Sequence, residues 1–503
     1  MELKNNMKKR YLFLTFLLLA SCGKVNSLKG YDYTEEKFNT NIFYKNVGQV
    51  IGADPLVLRE GNTFYLYTTT SNDNADCSYI QVYQSENLTD WTNKGICYQP
   101  ELQMWTMDGL WAPEVIKKGD TYYLYYAGWS LKRGTHLLGV ATSKSPLGPF
   151  KDYEGDSANG PITKDKAPFD FGYPVIDPSP FIDDDGQAYL CFTKDQVSKT
   201  STNYIAKLND DMVSIDETTI TELSHPDQDF EKLNSASHWN EAPFIKKIKD
   251  KYYYFYSANY YMDRKYCVGY GLSDNPMGPY VKSTEPLLIT LDEWDFVSGT
   301  GHCSIFDSPD GKELFIAYHT HLDPNMGGSK RQIVFDRLIE KDGKLHVNGP
   351  SLAPQLLPSG IGEYKNLADL ASFSVNEEKI EGLNDGYINF NANTLENEIE
   401  FEEKEITLKI TLSEAKSLKA IMVYDSASYE YKVDKIDELT IGDKKAFNIQ
   451  TNKENLIIDE DYEYKIPMSS LIYEFEDVTA SEITLKLSSK EGFNLNEIVV
   501  IGK

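Results

Sequence analysis

Three carboxylates with prolines beside them are the side chains best placed to do chemistry: Asp54 before Pro55, Asp177 before Pro178, and Glu241 two residues before Pro243. Trp111, two before Pro113, and His302 stand in the same phase. Counting from Asp54 through Glu114, Asp177 and Glu241 to His302, the steps are 60, 63, 64 and 61 residues. Residues repeated once per unit of a closed repeat converge in space although they are far apart in sequence. Carboxylates that meet among aromatic side chains have what cleavage of a glycosidic bond requires. One must be ionised to activate water, and another must be protonated to release the leaving group. A third tunes that difference, because a nearby anion raises its neighbour's pKa. Proline locks its own φ and biases the preceding residue to extended geometry, so Asp54 and Asp177 are expected on stiff, extended backbone. A lone Asp-Pro is a common turn-starter. Two copies plus Glu241-Ala242-Pro243, all in phase, carry the functional reading.

The elements that must position these residues are hairpins. A Pro-marked entry leads into a short apolar strand, a charged Gly/Asn/Asp turn and a Tyr-rich strand, with copies at 54–67, 111–125, 177–192, 241–256 and 302–318. Each unit adds two more strands: 78–84 and 91–98 in the first, 137–141 and 145–150 in the second, 203–207 and 211–215 in the third. In the fourth they are 267–271 and 275–280, and in the fifth 332–338 and 344–347. The echo of Pro146-Leu147-Gly148-Pro149-Phe150 in Pro276-Met277-Gly278-Pro279-Tyr280, 130 residues on, spans two unit lengths. A period near 60 has room for a four-stranded blade, and five units close a ring. The fold expected is all-β, a five-bladed β-propeller.

Pro350, Pro354 and Pro358 with Gly349, Gly360 and Gly362 mark a boundary, after which apolar and polar residues alternate without the long period. A smaller β-sandwich is expected there, as a carbohydrate-binding module or a structural clamp. The organisation read from sequence is a lipoprotein signal peptide over 1–21, a tether and lead-in over 22–44, the propeller over 45–352, a linker over 353–367 and the sandwich over 368–503. The signal reading rests on a basic start ending at Arg10, an apolar run from Tyr11 to Ala20, and Leu19-Ala20-Ser21-Cys22. That ending resembles the bacterial lipoprotein signal, which implies lipid on Cys22 and an exported, membrane-anchored protein. A net charge of -27 argues against nucleic acid and against anionic membrane as partners, since phosphates would be repelled. Contact with membrane is therefore expected through the lipid alone, and the chain is expected to act as a monomer. Cys77 and Cys97 flank the turn around Asn87-Leu88 at similar distances, so a bridge across that hairpin is one expectation. The other cysteines read as small buried hydrophobes.

The ordered set Ala53-Asp54-Pro55, Trp111-Ala112-Pro113-Glu114-Val115, Asp177-Pro178-Ser179-Pro180-Phe181, Asn240-Glu241-Ala242-Pro243 and Gly299-Thr300-Gly301-His302-Cys303-Ser304 resembles glycoside hydrolase family 43. The resemblance covers about residues 45–350 and implies single displacement with inversion, needing no cofactor for the chemistry. Matched residue by residue, it implies Asp54 as general base, Asp177 as the group that raises and orients the acid, and Glu241 as general acid. Inverting pairs stand roughly 6.5–9.5 Å apart, leaving room for water. On spacing alone Glu114 rivals Glu241, because neighbours on a strand face opposite sides. The resemblance favours Glu241 and leaves Glu114 to an ion pair or a turn contact off the channel. It also implies that His302 is an axial histidine able to hold a structural calcium ion through waters, and that Arg331 is aimed at the sugar. Trp111, Trp239, Trp129 and His238 are expected to bind substrate by stacking and hydrogen bonding, with Trp105 and Tyr173 as further candidates.

The activity so implied is removal of α-L-arabinofuranosyl or β-D-xylosyl residues from plant polysaccharides or oligosaccharides. β-D-Galactofuranosidase and endo-arabinanase action are the alternatives within the family. A non-catalytic, carbohydrate-binding surface lipoprotein is the alternative of another class.

Overall fold

The computed structural model describes residues 26–503 apart from 32–37, 47–49, 71–76, 235, 293, 295, 392, 450–454, 460, 461 and 466–469. The stretch read as a signal peptide and Cys22 lie outside the described residues. The chain forms five four-stranded blades followed by a β-sandwich. Blade I is Ala53–Glu60, Thr63–Thr69, Ile80–Ser85 and Thr92–Tyr98; blade II is Trp111–Lys118, Thr121–Ser130, Thr135–Ser143 and Lys151–Asp152. Blade III is Val175–Ile182, Ala188–Val197, Thr200–Lys207 and Thr221–Ser224. Blade IV is His238–Ile248, Lys251–Ala258, Cys267–Ser273 and Val281–Lys282, and blade V is Gly301–Asp307, Leu314–His321, Arg331–Lys341 and Lys344–Val347. The fourth strand of blade III is therefore not the 211–215 segment read from sequence. There Asp211 turns its carboxylate back onto the backbone N–H groups of Val213 and Ser214 at 3.0 Å, and Ile215 makes only an isolated bridge to Leu208. A short polar residue that bonds its own backbone makes a turn in preference to a ladder.

Every seam between blades is apolar. One cluster joins blades I, II and III, and separate clusters fill the III–IV, IV–V and V–I seams. Each sheet buries both faces, so the Tyr-rich second strands are packing material here: Tyr67, Tyr125, Tyr126, Tyr254 and Tyr256 are all fully buried. The ring closes where Ile333 N donates to Val50 O at 3.0 Å and Gly52 N to Arg331 O at 3.0 Å, and where Phe43–Tyr44 pairs with Gln355–Leu356.

Asp336, wholly buried on the third strand of blade V, ties that closure together. Its Oδ2 accepts from Tyr318 Oη at 2.6 Å and Ser351 N at 3.3 Å; its Oδ1 accepts from Gln355 Nε2 at 2.7 Å and Asn46 Nδ2 at 3.2 Å. A Cβ on Gly349 would fall 2.2 Å from Oδ2, which is why that position has no side chain.

Beyond the ring, Glu405–Asp425 and Leu471–Ser488 pair over most of their length and run through bulges that let them serve both layers of the sandwich. Residues 26–30 complete its edge: Asn26–Ser27 pairs in parallel with Lys444–Lys445, and Leu28 is buried in the sandwich core. A Cβ on Gly30 would meet the Tyr473 hydroxyl at 2.3 Å. Residues 355–356 and 365–366, within the stretch read as a linker, are paired to the lead-in and to the last strand. Cys77 and Cys97 are free thiols. Ile80 pairs with Tyr98, so Cys97 packs inside the hairpin with its Sγ on Ile80 O at 3.4 Å, whereas Cys77 precedes the strand and turns to Thr70 O at 3.6 Å.

Burial pushes the Asp336 carboxyl up from 3.8 to about 7, against the bonds from Tyr318, Gln355, Ser351 and Asn46 that pull it down. A folded pKa above the unfolded one means that folding takes up a proton. The contribution is complete below about pH 4 and is lost as pH rises through about 7. Thermal melts of wild type and Asp336→Asn are therefore expected to converge, or to reverse against wild type, between pH 4 and 8. A Tm difference constant across that range would refute the assignment.

Candidate active site

Each first strand starts with the same departure from a regular ladder. Asp54, Ala112, Asp177, Ala242 and His302 have φ of 52°, 47°, 53°, 51° and 50°, and at each of them the pairing register shifts by one residue. Asp54 and Asp177 are thus in the left-handed region and not in the extended backbone expected before proline. Left-handed geometry is uncommon for residues other than glycine and costs about 1–3 kcal/mol where it is held. It is held here by hydrogen bonds between blades. Ala112 N donates to Thr69 Oγ1 at 2.8 Å, Ala242 N to Asp177 Oδ2 at 2.9 Å, His302 N to Ser257 Oγ at 2.7 Å, and Asp54 N to His319 Nδ1 at 3.2 Å.

The extra residue of each bulge also resolves the rivalry of Glu241 and Glu114. A bulge breaks the two-residue alternation of a strand. The left-handed residue and the one before it both reach the same cavity: Asp54, Asp177 and His302 from the first position, Trp111, Ile176 and Glu241 from the second. Glu114 lies two residues past the bulge and is buried away from the cavity, which it does not line. Burial and the neighbouring Asp177 charge push its carboxyl well up, and its own charge reaches the thiols of Cys191 and Cys303. It belongs to the interior and not to an ion pair or turn contact off the channel.

The cavity holds about 420 Å³, within the range of small-molecule sites. Its floor is the ring of strand starts, and its wall comes from the connections between second and third strands of blades I, IV and V and from the end of the second strand of blade III. The wall connections of blades IV and V are fastened to each other, by Arg264 Nη1 on Pro324 O at 2.8 Å and His321 Nε2 on Tyr261 O at 2.9 Å.

Asp54 receives Thr69 Oγ1 on Oδ2 at 2.6 Å, and its Oδ1 lies 3.2 Å from His302 Nδ1 and 3.4 Å from Arg331 Nη1. Burial alone would raise this carboxyl; His302, Arg331 and Thr69 together outweigh burial and hold it below the ordinary carboxylate range. Burial drives His302 itself down, with Asp54 opposing and Arg331 reinforcing the fall. The Arg331 guanidinium supplies the cation beside Asp54, and the His302 ring keeps its Nδ1 within 3.2 Å of the same oxygen. Asp177 and Glu241 move the other way. Burial, then the Asp54 charge, lifts Asp177 well up against the Ala242 N–H. Burial, then the Asp177 charge, lifts Glu241 well up against a bond from Tyr266. Asp177 and Glu241 titrate as a pair that keeps a proton far above the ordinary range.

Among the expected binding residues, Trp111, Trp239 and Arg331 line the cavity. Trp111, about one-third exposed, stacks on His136 at 3.8 Å; Trp239 stacks on Tyr260 at 5.3 Å; the Arg331 guanidinium lies 5.0 Å over the Tyr261 ring. Trp129 does not line it and packs edge-on to His136, behind Trp111. His238 also lies outside the lining, its N–H on Lys199 O at 3.1 Å. Trp105 stacks on Tyr126, and Tyr173 lies under Lys194. Calcium takes six to eight oxygen ligands. Among the described residues no group of three or more His, Cys, Asp or Glu is placed to hold a metal, and the Nδ1 of His302 faces Asp54. These residues do not fit a protein cage for calcium.

Sequence reasoning missed Thr69, Tyr266, Asp195 and Gln196. Tyr266 Oη donates to Glu241 Oε1 at 2.7 Å, and its ring stacks on His319 at 5.5 Å. A Cβ on Gly301 would come 2.1 Å from the Tyr266 ring. Gly301, one residue before His302, therefore clears the space in which the ring that holds Glu241 can lie. That glycine was the available signal, and only the fold shows what fills its place.

A family model described as "Glycosyl hydrolases family 43" matches residues 44–345. Beta-D-galactofuranosidase xynD of Aspergillus niger is 27% identical over 296 residues, covering 57% of this chain and 78% of that protein. Xylosidase/arabinosidase 43A of Humicola insolens is 27% identical over 350 residues, covering 60% and 98%. The crystal structure of a thermostable family-43 glycoside hydrolase is 36% identical, with a TM-score of 0.57 over 63% of this chain and 99% of that one. Another solved structure, a glycoside hydrolase 19% identical with a TM-score of 0.50, covers 92% of this chain and shares its fold through both parts.

The Tyr266 bond favours the ionised form of Glu241, so its loss raises that pKa. Tyr266→Phe is expected to move the alkaline limb of the pH–rate profile to higher pH, and Gly301→Ala, which displaces the whole ring, to lower kcat/KM about tenfold further. An alkaline limb that stays in place would show that Tyr266 does not hold the acid.

Proposed function

Since the chain belongs to glycoside hydrolase family 43 and hydrolyses O-glycosyl bonds, we propose that it removes α-L-arabinofuranosyl or β-D-xylosyl residues from plant polysaccharides or oligosaccharides, with inversion at the anomeric carbon. The observation that carries this reading is the opposite displacement of two carboxyls in one cavity: Asp54 is held low and Glu241 is held high. Environments that push two acids apart assign base and acid. Asp54, ionised, takes a proton from the attacking water. Glu241, protonated, gives its proton to the departing glycosidic oxygen as the bond to the anomeric carbon breaks. Asp177 accepts the Ala242 N–H and by its charge keeps Glu241 protonated. Arg331 holds Asp54 ionised and lines the cavity that receives the sugar, with Trp111 and Trp239 as stacking surfaces. No step runs through a metal; a calcium ion at His302 would have to draw its ligands from water.

A relative that is a β-D-galactofuranosidase puts that furanoside in the test panel. 4-Nitrophenyl α-L-arabinofuranoside, β-D-xyloside and β-D-galactofuranoside identify the sugar removed; on the natural glycan that carries it, Asp54→Ala and Glu241→Ala are expected to lose at least a thousandfold in kcat/KM while melting near wild type. The first anomer seen by proton NMR should be inverted. Near-wild-type turnover of natural glycan by Glu241→Ala, or a retained anomer, would discard the mechanism.

Export and a lipid on Cys22 are supported by Leu19-Ala20-Ser21-Cys22. Expressed in a bacterium, the wild type is expected to incorporate labelled palmitate and to pellet with membranes, and Cys22→Ser to do neither. A Cys22→Ser chain that still pellets and takes up label would end the anchor reading.

A further inference from the structure

The wall beside Glu241 contains two acceptor oxygens that the chemistry above does not use. Asp195 and Gln196 stand at the end of the second strand of blade III and line the cavity. The turn that carries them is held in left-handed geometry, with φ of 45° at Gln196, 58° at Ser198 and 65° at Lys199. Ser201, wholly buried, clamps both residues. Its hydroxyl donates to Asp195 Oδ1 at 2.9 Å and accepts from Gln196 N and Nε2, each at 3.1 Å. One donor and two acceptor positions exhaust a serine hydroxyl. These bonds leave Asp195 Oδ2 and the Gln196 side-chain oxygen outside the Ser201 clamp, two acceptors on residues that line the cavity.

Their neighbour is aromatic. Ser201 pairs with Trp239 across the junction of blades III and IV, and Trp239 stacks on Tyr260, both lining the same cavity. Two fixed acceptors beside an aromatic plane suit a neutral ring with hydroxyl donors at its rim, which is a sugar. The position within the site follows from the strands. Trp239 stands two residues before Glu241 on the first strand of blade IV and Ser201 pairs with it, whereas Arg331 approaches Asp54 from blade V; the Asp195 charge in turn bears on Glu241 and Asp177. Asp195 therefore lies on the side of the acid, where the leaving group departs.

We propose that Asp195 and Gln196, with Trp239, form a subsite for the sugar on the leaving-group side, accepting hydrogen bonds from its hydroxyls and making the enzyme selective for glycosyl leaving groups. This rests on the assignment of Glu241 as acid. An aryl leaving group has no hydroxyls to offer and cannot use these contacts. A charged acceptor left without its donor is a larger loss than a neutral one.

The test compares kcat/KM of wild type, Asp195→Asn and Gln196→Ala on matched pairs: 4-nitrophenyl β-D-xyloside with xylobiose, and 4-nitrophenyl α-L-arabinofuranoside with 1,5-α-L-arabinobiose. On whichever pair the wild type cleaves, Asp195→Asn is expected to lose at least tenfold more on the disaccharide than on the aryl glycoside, and Gln196→Ala to lose in the same sense by less. Thermal melting of each variant reports folding, and a ratio of losses is insensitive to the fraction of active enzyme. A loss on the disaccharide in Asp195→Asn alone, with Gln196→Ala like wild type and the alkaline limb of the pH–rate profile moved to lower pH, would mean that Asp195 acts only through Glu241, because a sugar leaving group needs the acid more than 4-nitrophenolate does. That result, losses equal within twofold on both members of a pair, or no loss on the disaccharide would each overturn the subsite. A wild type that cleaves neither pair would sink both the sugar assignment and the subsite, a result distinct from equal losses in an active enzyme.

Discussion

The site depends on one backbone device repeated around the ring: a left-handed residue at the head of each first strand, held in place by the blade before it. Four of these residues hand their N–H to a side chain of the preceding blade: Asp54 to His319, Ala112 to Thr69, Ala242 to Asp177 and His302 to Ser257. The strain is bought with bonds that exist only when the ring is closed. In return, side chains that strict alternation would send to opposite faces come to a single cavity. Asp177 shows how tightly the device and the chemistry are joined. The oxygen that fixes the bulge at Ala242 belongs to the carboxyl whose charge acts on Glu241, one residue away. The carboxyl that fixes the backbone here is also, after burial, the main influence on the protonation of the neighbouring acid.

Buried carboxylates are costly unless they are bonded or share a proton. The cavity meets that requirement asymmetrically. Asp54 has the cation, the imidazole and the Thr69 hydroxyl, and so keeps its charge. Asp177 and Glu241 have a backbone N–H and a tyrosine hydroxyl and no cation of their own, and so keep a proton between them. The division of labour follows from which blade supplies Arg331. It enters from blade V, beside Asp54 across the ring closure, and stands away from the acid. The chain's large negative charge does not decide this, because groups a few ångströms away dominate inside a cavity.

Among the described residues the sandwich contributes none to the cavity, yet it is sewn to the ring at both ends of the chain. Ile42, Phe43 and Leu356 pack against Met422, Tyr424, Ile472, Val499 and Ile501. His346 stacks on Tyr387 at 3.6 Å, and Asn348 bonds Gly386 O at 2.8 Å and Ile388 N at 3.1 Å. Residues 26–30 form an edge of the sandwich before the chain enters the ring, so the second module covers the seam where the first and last blades meet. A brace at the closure fits these contacts, because the strands of blade V all come from the C-terminal side and, among the described residues, the lead-in meets them through short bridges from Val50 to Gly52 and side-chain bonds of Tyr44 and Asn46.

Sequence by itself determined the period, the number of blades and the identity of the convergent acids, because Pro-marked strand starts and Gly/Asn/Asp turns are local signals that repeat. The two-residue alternation, the preference for extended backbone before proline and the symmetric spacing of Cys77 and Cys97 are local rules too, and each failed where another part of the chain intervened. Alternation and pre-proline geometry gave way to bulges held by neighbouring blades, and the cysteines were drawn to separate environments by their own strands. Tertiary structure alone decided that Glu241 and not Glu114 opens onto the cavity, that Gly301 makes room for Tyr266, and that Asp195 joins the wall. Tertiary structure also decided which acid is charged, since a carboxyl's protonation is set by burial and by groups within a few ångströms, and here those groups come from residues scattered between 54 and 331.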